Sequence, residues 1–211
     1  MSDLSSQNLH GSRRDAPSAR RNAAAILDVL KRVLPDSGTV LEIGSGTGQH
    51  AVNFAGPLAP RRWLPSDPDP EQRASISAWI AEMDDPKPLL PRAIDAASMD
   101  WDIREDDDIM GVTSANVIHI SPWSVSMGLV AGAGRILPVG GVLHFYGPFK
   151  RGGVHTVPSN AAFDASLRDR DPEWGVRDLG DIEALAVAAG LALDQVIDMP
   201  ANNFSVIFKR V

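Results

Sequence analysis

An α/β fold, a doubly wound parallel sheet with helices on both faces, is what this sequence predicts, and three observations carry the prediction. Segments of strand and helix character alternate over most of the chain. The candidate strand "DIMGVTSANVIHI" becomes nearly continuously apolar toward its end, which suits a strand covered on both sides. A glycine-rich turn, "GSGTG" at 44–48, follows the first strand directly, where open α/β sheets hold their ligands.

The elements follow in order. Residues 1–19 are rich in Ser and Arg, lack an apolar core and show no periodicity; they read as a flexible tail, not a secretory signal. A single domain spans 20–211. "RRNAAAILDVLKRVLP" puts Ile26, Leu27, Leu30, Val33 and Leu34 on one helical stripe that Pro35 and Gly38 stop. "TVLEIG" is a short buried strand, and "QHAVNFAGPL" a helix after the glycine turn. "RRWLPSD" is a second strand ending at Asp67, after which Pro68 and Pro70 open the helix "PEQRASISAWIAEM". "KPLLPRAIDA" is a third strand ending at Asp95, and "DIMGVTSANVIHI" a fourth. "SVSMGLVAGAGRIL" is a helix stopped by "PVGG", and "GVLHFYG" the fifth strand. "DIEALAVAAG", "LALDQVIDM" and "NNFSVIFKRV" finish the chain as helix, strand and strand.

One stretch breaks the alternation. Between residues 147 and 178 lie "GPFKRGGVHTVPSN" and a short helix, "NAAFDASLRDRD", where a direct connection needs only a few residues. An insertion at the carboxyl edge of a sheet suits a lid or a substrate-binding loop, with surface decoration as the alternative.

Bulk properties narrow the function. The absence of cysteine removes disulfides, thiol nucleophiles and thiolate metal sites, and fits a cytoplasmic protein. A net charge of −7 argues against nucleic acid as the main partner. No run approaches the roughly 20 apolar residues of a membrane span. No metal-ligand pattern stands out, and "DIREDDD" at 102–108 lacks the spacing and glycine of a calcium loop, so no metal is expected. The expected partner is a small-molecule substrate, on a monomer or homodimer.

Glycines in the turn after the first strand let a ligand press against the main chain. Dinucleotide enzymes use G-x-G-x-x-G, whereas Gly44, Gly46 and Gly48 are spaced G-x-G-x-G, with Glu42 two residues before them. An acid there crowds a pyrophosphate but suits an amino group, and S-adenosylmethionine carries one. Asp67, closing the second strand, stands where a carboxylate accepts both ribose hydroxyls. Asp95, closing the third, stands where an adenine amino group arrives. A dinucleotide remains the competing ligand.

The stretches "VLEIGSGTGQHA" and "WLPSDPDPEQRASI" resemble the class I S-adenosylmethionine-dependent methyltransferases, more narrowly the family that includes methyltransferase-like protein 26. The resemblance continues through "NVIHISPW", "GGVLHFYGPFKRGGVHTVPSNAAFDASLRDRDPEWGVRD" and "MPANNFSVIFKR", and covers about residues 20 to 211. It implies a Rossmann-like, seven-stranded sheet with the last strand antiparallel, and a methyltransferase of unspecified substrate. The class pattern carries over to Glu42, Gly44, Gly46, Gly48, Asp67 and Asp95. Ser45 and Thr47 belong to the same cofactor loop. The acidic "REDDDIMGVTS" at the start of the fourth strand departs from the family.

Methyl transfer from a sulfonium is an in-line displacement that needs alignment, and a base only when the nucleophile must lose a proton. Asn116, near the end of the fourth strand, is positioned for the methionine end of the cofactor. His119 is a candidate base or a strand-end histidine satisfied by hydrogen bonds. Tyr146 is a candidate to orient a nucleophile, and His155 a second candidate base. Trp123, Lys150 and Asn160 are candidate substrate contacts: an aromatic wall, an anion partner and a polar contact, against packing, solvation and helix capping. A dinucleotide-dependent oxidoreductase and a non-catalytic binding module are the rival readings.

Overall fold

Along the first strand, Val40 and Glu42 face one way and Leu41 and Ile43 the other, and two cores grow from that alternation. The structure, a computed structural model, describes residues 13–211. Its helices are α1 (Pro17–Val33), α2 (Gln49–Ala55), α3 (Pro70–Ala81), α4 (Trp123–Ile136), α5 (Pro158–Arg168) and α6 (Leu179–Ala188). Its strands are β1 (Thr39–Ile43), β2 (Arg62–Ser66), β3 (Ile109–Ala115), β4 (Val142–Gly147), β5 (Lys150–Arg151), β6 (Val154–His155), β7 (Leu191–Met199) and β8 (Asn203–Arg210). Leu41, Ile43, Leu143 and Phe145 pack with Leu129 and Val130 of α4 and Ile182 of α6. Val40, Val142 and Tyr146 pack on the opposite face with Ile26 and Leu30 of α1 and Phe54 of α2. All residues of β1 and β4 are buried, as expected for strands covered on both sides.

Six strands form the main sheet in the order β2-β1-β3-β4-β8-β7, and β5 with β6 makes a separate hairpin. The first four are parallel; β8 runs antiparallel to both β4 and β7. The chain moves outward from β1 to β2 and then returns across β1 to β3. That reversal opens a crevice at the carboxyl ends of β1 and β3.

Three expectations are corrected. The sheet has six strands, not seven, because "KPLLPRAIDA" forms no strand. Leu89 N–H donates to Trp63 O at 2.7 Å, Arg92 N–H to Pro65 O at 3.0 Å and Asp67 N–H to Arg92 O at 3.1 Å, so the segment follows β2 in parallel. Pro88 and Pro91 lack the N–H donors that would complete the ladder. The fourth predicted strand ends early: Asn116 takes a left-handed φ of 63° and starts a 3₁₀ turn, Val117–His119, instead of extending the strand. The flexible tail is also shorter among the described residues, since α1 begins at Pro17. Arg14 N–H donates to Ser75 Oγ at 2.9 Å and Ala16 N–H to Gln49 Oε1 at 2.6 Å, tying residues 13–16 to α3 and α2. The rest of that tail, residues 1–12, lies outside the described residues.

The insertion folds as the β5–β6 hairpin and α5. Lys150 N–H donates to Arg177 O at 2.9 Å, which closes the excursion where α6 begins. Among the described residues no helix is long and apolar enough to cross a membrane.

Candidate functional site

The glycine turn lies at the crevice, and its three glycines do different work. A Cβ on Gly44 would sit 2.4 Å from Val117 Cγ2, and one on Gly48 would sit 2.8 Å from Ile76 Cα, so these two admit the neighbouring turn and α3. Gly46 differs. It has φ +54°, and among the described residues nothing lies within 4 Å of where its Cβ would be. Its N–H donates to Asp67 Oδ2 at 2.9 Å, while Asp69 N–H donates to Asp67 Oδ1 at 3.0 Å. Burial raises the pKa of Asp67 above its ordinary value, and the two backbone donors offset part of that rise. Each carboxylate oxygen keeps a second lone pair, so bare backbone and an acceptor-rich carboxylate stand side by side. Ser45 Oγ receives Ser66 N–H at 3.0 Å, and Thr47 Oγ1 donates to Gln49 Oε1 at 2.8 Å, which fixes the loop from both ends.

Glu42 is placed differently from an open ligand for an ammonium group. It faces α2, not the crevice, because it alternates with Leu41 and Ile43. Its carboxylate is buried, receives Trp63 Nε1–H at 3.0 Å and lies 3.4 Å from His50 Nδ1. The His50 ring continues the chain, its Nε2 hydrogen-bonded at 2.8 Å to Asn22 Oδ1 on α1. Asn22 in turn bonds Tyr146. A buried polar line therefore runs from β1 through α2 and α1 to the end of β4. Asp95, with no strand to close, is exposed, and its Oδ1 accepts from Ala97 N–H at 2.9 Å.

Beyond the crevice, Asn116, Tyr146, α1 and the turn at Pro200–Asn203 enclose a cavity of about 450 Å³. Burial raises the pKa of Tyr146, partly offset by its bond from Asn22, so the phenol stays protonated near neutral pH. His119 is fully buried below this region. Arg177 N–H donates to its Nδ1 at 3.2 Å, which leaves the proton on Nε2, and that atom has no partner. Burial first, and the Arg177 charge second, hold its pKa down at about 3. Neither ring nitrogen of this imidazole has a lone pair free to take a proton, contrary to what a base requires.

The insertion brings the remaining candidates to one carboxylate. Asp164, on the buried side of α5, is 2.9 Å from Lys150 Nζ, 3.1 Å from His155 Nε2 and 3.4 Å from Arg168 Nε, and accepts Val176 N–H at 2.7 Å. Burial alone would raise its pKa; the Lys150 and Val176 bonds outweigh that and lower it. Lys150 is thus paired, and His155 keeps only Nδ1 without a partner. Asn160 Nδ2 donates to Asn202 O at 3.0 Å, strapping α5 to the turn before β8. Trp123 starts α4 under the Arg177 guanidinium, 5.5 Å from its ring, and packs on the core. The structure brings Gly46 and Asp67 together, and Asn116 and Tyr146 together. Glu42, Asp95, Lys150 and Asn160 each engage other partners.

Sequence reasoning passed over Ser18, Arg21 and Asn22, which line the cavity from α1. One signal was available. Asn22 lies four residues before Ile26 on the buried stripe of α1, a polar side chain where a core helix wants an apolar one.

Three solved structures share this architecture. The apo methyltransferase SibL aligns with a TM-score of 0.73 and 20% identity, over 92% of this chain and 55% of its own. Human N-acetylserotonin methyltransferase in complex with SAM aligns at 0.73 and 14%, over 97% and 54%. An O-methyltransferase family 2 protein from Planctomyces limnophilus in complex with apigenin aligns at 0.70 and 19%, over 100% and 63%. This chain therefore spans just over half to under two thirds of the length of these proteins, and shares with them the class I methyltransferase fold. The sequence itself matches the family described as "Protein of unknown function (DUF938)" over residues 13–210, and the chain belongs to that family.

Proposed function

We propose that this protein is an S-adenosylmethionine-dependent methyltransferase acting on a small molecule, within the group the sequence resembles through methyltransferase-like protein 26. One observation carries the reading: Gly46 offers open backbone at the carboxyl edge of a methyltransferase-type sheet, with the Asp67 carboxylate on its amide. Asp67 would hold the ribose hydroxyls, Gly46 would lie against the nucleoside, and Asn116 would meet the methionine end. Glu42 supports the loop from beneath through Trp63 and His50. When bound, S-adenosylmethionine would supply a methyl group on a sulfonium for in-line transfer. The chain's own contribution is alignment and exclusion of water, with the insertion at 147–178 as the cover over the acceptor.

Calorimetry on the full chain tests this directly. S-adenosylhomocysteine should bind, and NADH should not; the reverse pattern would move the protein to the dinucleotide enzymes. Binding without turnover against a broad metabolite mixture would instead favour a binding module.

A further inference from the structure

The cavity under α1 has a lining of definite chemistry. Ser18, Arg21, Asn22, Asn116, Tyr146 and Asn203 line it, and among the described residues none of the lining is acidic. Its volume of about 450 Å³ falls within the usual range for small-molecule sites. Arg21 is exposed and has no carboxylate partner among the described residues, whereas its neighbours Arg14 and Arg20 are paired with Glu71 and Asp15. The direction of the Asn22 bonds adds a second donor. Asn22 Oδ1 is occupied by His50 Nε2, so its Nδ2–H donates to Tyr146. The Tyr146 oxygen is thereby engaged as an acceptor, and its O–H remains a rotatable donor on a residue that lines the cavity. A cationic arginine and a phenol lining one space select an oxyanion, because a charge-assisted bond to such a group is the strongest this lining can make. An amine acceptor would meet no acid among the described lining residues.

Among the described residues the lining also lacks a base. Tyr146 is protonated, and the other polar lining groups are hydroxyl, amide and guanidinium. An acceptor that is already ionised avoids the need. We propose that this cavity is the acceptor subsite of the transferase and takes a small carboxylate, gripped by Arg21 and the Tyr146 hydroxyl. The proposal rests on the methyltransferase reading above. Methylation of such a group forms one C–O bond, breaks the C–S bond with its electron pair left on sulfur, and releases no proton.

A carboxylate also ends the methionine arm of the cofactor, so the test must separate the two sources. Tyr146 is the sole tyrosine of the sequence, which makes its ultraviolet titration a private signal of this cavity. Benzoate, phenylacetate and octanoate, with their amides as controls, are titrated against the full chain with and without S-adenosylhomocysteine. The acids should bind, the amides should not, and bound acid should push the tyrosine titration to higher pH. Arg21→Ala should weaken acid binding about ten- to hundredfold, as expected for loss of a charged hydrogen-bond partner. It should leave the affinities for S-adenosylhomocysteine and for methylthioadenosine, which lacks the amino-acid arm, unchanged. Loss of affinity for S-adenosylhomocysteine alone would assign Arg21 to the cofactor and overturn the proposal. So would equal binding of acids and amides, an unmoved tyrosine titration, no binding of any acid, or methylation of phenols that vanishes in His155→Ala. Failure of wild type to bind S-adenosylhomocysteine while still binding acids would sink the methyltransferase reading and leave the carboxylate site standing.

Discussion

The glycine turn and the insertion are both rich in polar side chains, yet they use them in opposite ways. At the turn, Asp67 is raised in pKa by burial and, among the described residues, its carboxylate is hydrogen-bonded by backbone N–H groups alone, which leaves acceptor capacity on both oxygens. In the insertion, Asp164 is surrounded by Lys150, His155 and Arg168, and its pKa is lowered against burial by Lys150, the Val176 N–H and Arg168. The first carboxylate is available to a ligand. The second is consumed in holding a hairpin and a helix that are too small to own an apolar core. A charged residue in a loop is thus a binding candidate only if the fold has not already supplied its partner.

Four measurements sharpen or break that contrast. The largest effect is expected from Gly48→Val, where a φ of +93° and the Ile76 backbone oppose any side chain; urea unfolding should show a loss of about 3 kcal/mol or more. Asp164→Ala should follow, at about 2–3 kcal/mol, because Lys150 and Arg168 lose their common anion and His155 and the Val176 N–H lose a hydrogen-bond partner. Limited proteolysis should then cut the insertion while S-adenosylhomocysteine affinity holds. If that affinity falls instead, the insertion is part of the cofactor site and the contrast fails. Asp67→Ala should do the converse, leaving folding nearly unchanged and weakening S-adenosylhomocysteine by about 1–3 kcal/mol through unmet ribose hydroxyls.

The smallest and most informative effect is in pH. Asp164 has a depressed pKa, so its stabilisation is present above the unfolded value and is lost as pH falls through the folded one. Asp67 has a raised pKa, so its contribution runs the other way, fullest in acid and lost as pH climbs through the folded value. His119 and His144, both held at about 3, add acid lability to the sheet below the ordinary histidine pKa of about 6.5. Hydrogen exchange measured as pH falls should show the insertion loosening while the Asp67 turn does not. Joint loosening of both regions at one pH would show that they are a single cooperative unit.

How much of this was legible in the sequence follows from what determines each part. The alternation of elements, the helix start at Pro70 and the span "LALDQVIDM" depend on local pattern, and the structure reproduces them, while the short helix of the insertion starts at Pro158, two residues before the expected Asn160. The missing seventh strand depends on two prolines that the apolar pattern outweighed in reading. The roles of Glu42 and Lys150 were not legible, because His50, Trp63 and Asp164 meet them only in three dimensions. Two polar intruders did leave a trace. Asn160 and Asp164 occupy the buried stripe of α5 with Leu167, the half-buried Asn22 borders that of α1, and each such residue proved to be a connector. A polar side chain at a core position of a helix is a stronger pointer than a charged one in a loop.

Ser75 receives Arg14 N–H and itself donates to the Thr47 carbonyl; Gln49 receives both Ala16 N–H and the Thr47 hydroxyl. Thr47 is therefore held on two sides by side chains that also hold residues 14 and 16. Whatever settles against the glycine turn will steady those upstream residues, and releasing them will soften the turn, since linkage is reciprocal. The amides of Arg14 and Ala16 become distant gauges of an occupied crevice, readable without any label in the crevice itself.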